Sequence, residues 1–286
     1  MTRRTQVVVL TVVGILVLLS ACTRDGTTPP PPSPSPAKSF SDKFQDQRVI
    51  EESNPIEESA DPNWWLNSGA RLDIRDGVAQ TIQGSLDPED PWHRAYASNS
   101  GADRGRHPQN LFRLVLRQEY QNPEQQFYFR VDQINLSKDP ERDAWSGVFS
   151  MSRYGDQGDT LYYTGFRVDG SAVIKKKVGG VYADSLAEVP VFDGAEYDRT
   201  KNPNLLPEDR WIGLRSAVTT NANRTVSITL WVDVDGNGLW QQVAQATDSS
   251  TSGMPPITGS GLVGIRTDFM DASLRDYSVR ELPQSS

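Results

Sequence analysis

The stretch that most limits what this chain can fold into occupies residues 161–186 and reads LYYTGFRVDGSAVIKKKVGGVYADSL. Two dipeptides divide it, Asp169-Gly170 and Gly179-Gly180. Both tolerate the positive φ that tight reversals between antiparallel strands require. The runs between them are short and rich in β-formers, so the stretch predicts three strands joined by two tight turns. With Asp169, Gly170 and Ser171 as the first loop, Val168 would pair with Ala172 and Phe166 with Ile174, placing four apolar side chains on one face. Tyr163, Arg167, Val173, Lys175 and Lys177 would share the other face, a polar, cationic and aromatic surface built on sheet.

The same two-residue alternation recurs along the chain. In LFRLVLR, Phe112, Leu114 and Leu116 face one way and Arg113, Val115 and Arg117 the other; in FYFRVDQ, Phe127, Phe129 and Val131 oppose Tyr128, Arg130 and Asp132. WIGLR turns Ile212 and Leu214 inward and Trp211 and Arg215 outward, and VSITLWVD buries Val226, Ile228, Leu230 and Val232 while Trp231 and Asp233 point out. Asp76-Gly77 marks a further reversal, and GLVGIRTDFM and SLRDYSVREL supply the last strands. Past the N-terminal leader no segment has the apolar spacing of a long helix. Many short strands with frequent turns predict an all-β fold, a two-sheet antiparallel β-sandwich. A chain of 286 residues is long enough for one large β domain, placed at residues 39–286. Residues 84–110 form a long polar insertion that holds both histidines, His93 and His107.

Residues 1–21 carry Arg3 and Arg4, an apolar run over 7–19 and small residues before Cys22, which is the pattern of a secretory signal. The run is shorter than the ~20 residues a helix needs to span a hydrocarbon core. Leu19-Ser20-Ala21-Cys22 resembles the lipobox of bacterial lipoproteins, which implies that Cys22 becomes the lipidated first residue of the mature chain. It is the sole cysteine, and an unpaired one in an exported protein calls for such a role. Residues 22–38, with TTPPPPSPSP, would be a stiff extended spacer. The expected location is the extracytoplasmic face of the cell membrane, held by lipid. Net charge is −8, and cleavage would remove two more cations, so neither nucleic acid nor anionic lipid is an expected electrostatic partner.

The order of motifs, YY.G.R.DG, KKK..G.Y, W..L, V.I.L.VD, GLVGIRTD and D..V.EL, resembles the concanavalin A-like lectin/glucanase superfamily, the laminin G-like jelly roll. The resemblance spans roughly residues 40–282 and implies two curved sheets, one carrying a carbohydrate groove. The catalytic motifs of that superfamily are not intact. No E-x-D-x-E string of the family 16 glycoside hydrolases occurs. Gln133-Ile134-Asn135 resembles the Q-I-H strand of jelly-roll alginate lyases, but Asn135 stands where the histidine would be, and asparagine is no general base near neutral pH.

The outward set Arg113, Arg117, Arg130, Tyr163, Arg167, Lys175, Lys177, Trp211 and Arg215 is the expected carbohydrate-binding surface. Aromatic rings cover the apolar faces of sugars, and guanidinium groups hold hydroxyls and carboxylates. The competing expectation is a solvated sheet face with cross-strand ion pairs. Asp233, Asp235 and Asn237 match the first half of a calcium loop, but Ala244 replaces the bidentate glutamate, so a hairpin turn is the stronger reading; no cofactor is expected beyond a structural calcium. These features predict a lectin-like protein that binds a polysaccharide. A polysaccharide lyase or glycoside hydrolase of the same fold and an envelope protein-interaction module are the alternatives.

Overall fold

A computed structural model describes residues 37–284. The expected signal sequence, Cys22 and the proline run of the expected spacer lie outside the described residues. In chain order the strands are β1 (Ser39–Asp42), β2 (Arg48–Glu51), β3 (Trp64–Ser68), β4 (Arg71–Arg75) and β5 (Val78–Thr81). The insertion with a short helix, α1 (Pro91–Ala95), follows. Then come β6 (Leu111–Tyr120), β7 (Pro123–Ile134), β8 (Gly147–Gly155), β9 (Thr160–Arg167), β10 (Ser171–Val178), β11 (Val181–Tyr182) and β12 (Ala187–Pro190). The chain closes with β13 (Ile212–Thr220), β14 (Val226–Asp233), β15 (Gln241–Asp248), β16 (Gly261–Asp268) and β17 (Met270–Glu281).

The expected two-sheet antiparallel jelly-roll sandwich is present. One sheet runs β15-β14-β13-β7-β17-β5-β4-β2, with β1 also against β17; the other runs β11-β10-β9-β8-β16-β6-β3, with β12 also against β10. From β5 to β8 and again from β15 to β17 the chain crosses between sheets at every step. The two inner faces meet in one core holding the predicted inward residues Phe112, Leu114, Leu116, Phe127, Phe129, Val131, Ile212, Leu214 and Leu230. At one end Trp64 packs edge-on against Tyr277, with ring centroids 4.8 Å apart.

The three strands at residues 161–186 form, but with a different first register. Phe166 pairs with Ala172 and Thr164 with Ile174. The loop is Val168, Asp169 and Gly170, because the Val168 N–H donates to the Ser146 carbonyl (2.8 Å) and its carbonyl accepts from Leu205 (2.6 Å). Those bonds take Val168 out of the ladder. A shift of two residues preserves strand parity, so Phe166, Val168, Ala172 and Ile174 still share the core. Asp76 (φ 53°) and Gly77 (φ 84°) make the predicted two-residue hairpin, both in the left-handed region.

Polar bridges cross between the sheets. Ser150 Oγ lies 2.7 Å from Ser216 Oγ. Gln125 Nε2 donates to Ser152 Oγ (2.8 Å). Lys176, at the inward position between Lys175 and Lys177, donates to both Asp248 oxygens at 3.0 and 2.9 Å, with both side chains fully buried. Asp248 also accepts from Tyr162 Oη (2.6 Å).

Candidate functional site

The outer faces of the two sheets differ. On the nine-stranded sheet Tyr128, Arg130, Arg215 and Trp231 are half-exposed, as on a solvated face. On the eight-stranded sheet the outward Trp65, Val115, Met151, Tyr163 and Val173 are almost fully covered, and with Phe149 and Leu161 they form a second apolar cluster. Loops rise over this face and leave a cleft.

The cleft follows from cross-strand register. Phe149 on β8 faces Arg266 on β16, and Tyr163 on β9 faces Lys175 on β10. Gly165 lies opposite Phe149, and a Cβ there would meet the Val148 carbonyl first and then the Phe149 backbone and ring. Above this floor stand Trp145, 48% exposed, and Tyr182, 47% exposed. They help to enclose about 530 Å³ whose lip includes Asp143, Asp184 and Ser185. A second hollow of about 1180 Å³, lined by Arg104, Arg106, Arg113 and Lys138, shares Leu111 and Glu141 with the first. The two adjoin at those residues. One has an aromatic lining and the other sets Arg104, Arg106, Arg113 and Lys138 beside Asp103, Asp139 and Glu141; they are termed the aromatic and basic ends of the groove.

Polar contacts fix the aromatic end. Arg266 Nε donates to Asp268 (2.8 Å) and its Nη1 donates to Tyr163 Oη (2.9 Å). Tyr163 and Tyr182 stack at 6.2 Å. Burial raises the Tyr163 phenol, whereas at Tyr182 the Arg266 and Lys177 charges outweigh burial and lower it. The Lys175 ammonium lies 3.9 Å from the Trp145 ring centre and 5.1 Å from that of Tyr182. Burial lowers its pKa, and Arg167 and Arg266 add repulsion.

The nine predicted surface residues do not share one face. Arg113, Arg117, Tyr163, Arg167, Lys175 and Lys177 belong to strands of the eight-stranded sheet; Arg130 and Arg215 belong to the other sheet, with Trp211 just before β13. On that opposite side Trp211 packs against Arg130 and Arg275, and Arg215 pairs with Glu124 (2.8 Å). Arg117 leaves the groove to donate to the Asp61 carbonyl (2.8 Å). Arg167 is only 4% exposed, is ion-paired to Asp169 and Glu188, and lies beneath Trp145, so it supports the wall. Lys177 pairs with Asp159 at the rim (3.3 Å). Tyr163 and Lys175 remain as groove residues, with Arg113 at the basic end.

Sequence reasoning missed Trp145, Tyr182 and Arg266. Arg266 carried a usable signal, since GLVGIRTD alternates and sets Arg266 and Asp268 on the outward parity. Trp145 carried none, because it lies on a loop.

Asn135 is buried and donates to Asp271 (2.8 Å) and Asn110 (3.0 Å). It lies just past β7, in the sheet opposite that of Tyr163. Asp233 accepts from the Asn237 and Gly238 amides and from Tyr128, as a turn-capping residue does. Asp235 is exposed. Among the described residues no group of three or more histidine, cysteine or acidic side chains could hold a metal.

In the insertion, His107 Nδ1 donates to Asp103 (2.9 Å), which leaves Nε2 to accept from Ser85 Oγ (2.9 Å). The order of groups is that of a nucleophile, a base and its orienter. The flanking amides, however, are already spent: Gly84 N–H donates to Asp271 (2.6 Å) and Leu86 N–H to the Arg106 carbonyl (2.8 Å). Neither of these two is free to stabilise an oxyanion beside Ser85, and the hydrogen-bonded series ties two loop segments together.

No family model matches the chain, and no curated protein matches it. Among solved structures, a carbohydrate-binding module from Bacillus subtilis is 9% identical, with 76% of this chain and 95% of that one covered at a TM-score of 0.47. A protein of unknown function with a galectin-like fold, also from Bacillus subtilis, is 10% identical over 86% and 96% of the two chains, at 0.46. A Bacillus licheniformis beta-glucanase is 11% identical over 87% and 100%, at 0.41.

Proposed function

We propose that this is a lipid-anchored extracytoplasmic protein that binds a polysaccharide in the groove of its eight-stranded sheet. The observation that carries the reading is the pairing of Trp145 and Tyr182, two half-exposed rings, with Lys175 between them and Arg266 in the same cleft. Rings of this kind cover the apolar faces of pyranoses, while the cationic donors bind oxygen atoms around them. The Leu19-Ser20-Ala21-Cys22 motif and the proline-rich spacer support attachment of Cys22 to lipid and presentation of the domain away from the bilayer.

The test is calorimetry of the full-length chain in detergent against a panel of soluble polysaccharides. Tyr182→Ala is expected to weaken binding roughly tenfold, about what loss of one aromatic platform removes, without moving the thermal midpoint. Equal affinity in the variant would remove the groove from the proposal. Released reducing ends or unsaturated products in the same mixtures would convert the reading into that of an enzyme. Cys22→Ser should release the chain from the membrane fraction or stop its processing, and a normally processed, lipidated product would sink the anchor.

A further inference from the structure

Resting on that reading, we infer that the polysaccharide is anionic and that its acid groups are held at the junction of the two hollows by Arg113 and Arg266.

These two arginines are direct cross-strand partners, Arg113 on β6 against Arg266 on β16, and both point out of the same face. Like charges set directly opposite one another destabilise a sheet. Arg266 is relieved by Asp268 at 2.8 Å. For Arg113 no carboxylate of the described residues lies within 4.0 Å, although it is half-buried. The basic end repeats the pattern: Arg104, Arg106 and Lys138 line it, and none of them forms an ion pair among the described residues. Lys175, at the aromatic end, is also without one.

The opposite sheet face is the internal comparison. There Arg130 pairs with Asp132, Arg215 and Arg280 with Glu124, and Arg275 with Asp276. A protein of net charge −8 has carboxylates to spare, so cations left unpaired along one groove are not forced by composition. Six acids line the groove as well, and of these only Asp103 and Asp268 form ion pairs among the described residues. Asp103 is bound to His107 and Asp268 to Arg266; Asp139 and Asp143 accept from the Glu141 and Trp145 amides. Glu141 stands at the shared lip, and Asp184 bonds to Ser252. A carboxylate or sulfate on the sugar chain would supply the counter-charge that Arg113 lacks, in the planar geometry guanidinium favours.

The experiment compares three probes on the full-length chain in detergent: polygalacturonate, the same polymer with its carboxyls reduced to alcohols, and dextran sulfate beside neutral dextran. Wild type is expected to bind at least one acidic polymer and to lose affinity for it as salt rises. It should bind the matched neutral polymer at least tenfold more weakly. Arg113→Gln should cost roughly tenfold for the acidic polymer, the scale of one charge-assisted contact. Arg280→Gln, on the far face, should cost nothing, which separates a site from general attraction. Preference for uronate or for sulfate identifies the source of the anion. Equal binding of acidic and neutral polymers, with no loss in Arg113→Gln, would overturn the inference and leave the glycan reading standing. An equal loss in Arg280→Gln would also overturn it. Failure to bind any polysaccharide, these and the broader panel alike, would remove both.

Discussion

Replacing Lys176 by methionine isolates a fully buried ion pair of the core. Lys176 and Asp248 are both fully buried, and the ammonium also donates to the Met254 carbonyl at 2.8 Å. Methionine fills nearly the same volume but leaves Asp248 charged and without its cation. Breaking a buried pair from one side costs about 3–5 kcal/mol. At about 2–4 °C per kcal/mol for a domain of this size, the midpoint should fall by roughly 6–20 °C. The pH dependence gives a second, independent handle. In the native protein burial pushes the Asp248 carboxyl up, but bonds from Tyr162, Lys176 and Ser250 prevail and hold it below the ordinary range. Its contribution to stability is therefore present above the unfolded value of about 3.9 and is lost as pH falls through the native value. Without Lys176 the burial effect gains weight, and a carboxyl raised above its unfolded pKa takes up a proton on folding. The deficit of Lys176→Met should then shrink as the solution is acidified. Urea melts at several pH values measure both effects, with Lys176→Met/Asp248→Asn expected to recover part of the loss, since asparagine still accepts from Tyr162 without a buried charge. A single variant within about 1 kcal/mol of wild type at pH 7, or a deficit that grows in acid, would refute the reasoning.

Two further outcomes bear on the groove. Gly165→Ala would drive a Cβ into the Val148 carbonyl and the Phe149 ring. It should cost about 1–3 kcal/mol in urea melts and weaken polysaccharide binding as Phe149 moves. In an ultraviolet titration of the phenols, Tyr182 should ionise first, because Arg266 and Lys177 lower it while burial raises Tyr163 and pushes Tyr154 up to about 12. Tyr182→Phe should delete that earliest step, and an unchanged curve would contradict the assigned field.

Much of the sandwich was legible because its signal is local. Alternation in LFRLVLR, FYFRVDQ and VSITLWVD fixed which side chains turn inward, and Asp76-Gly77 and Gly179-Gly180 fixed reversals. The first register at residues 161–186 was not legible, since it depends on Ser146 and Leu205 capturing the backbone of Val168. Two-residue parity shielded the face assignment from that error. The site was less legible for the same kind of reason. Parity distinguishes inside from outside within a strand, yet it cannot say that Arg130 and Arg215 lie on one outer face and Tyr163 and Lys175 on the other, because sheet membership is a tertiary fact. Lys176 could have been read from parity alone: if Lys175 and Lys177 point out, it points in.

What separates the two outer faces is how firmly the groove is held before any ligand arrives. Trp145 belongs to a loop, where a ring would ordinarily lose several rotamers on binding. Here Arg167 lies beneath it, fixed by Asp169 and Glu188, and Lys175 approaches the same ring. Tyr182 sits on a strand of only two residues but is stacked on Tyr163, which Arg266 holds by its hydroxyl. Each exposed ring thus rests on a buried residue that is itself held, Arg167 by its ion pairs and Tyr163 by the hydrogen bond from Arg266. The entropy of ordering these walls is spent in folding rather than in binding, which raises affinity for a rigid polymer without any added contact. Arg113, like Lys175 and the cations of the basic end, has no ion pair among the described residues, and the sensitivity of binding to ionic strength should concentrate on these groups.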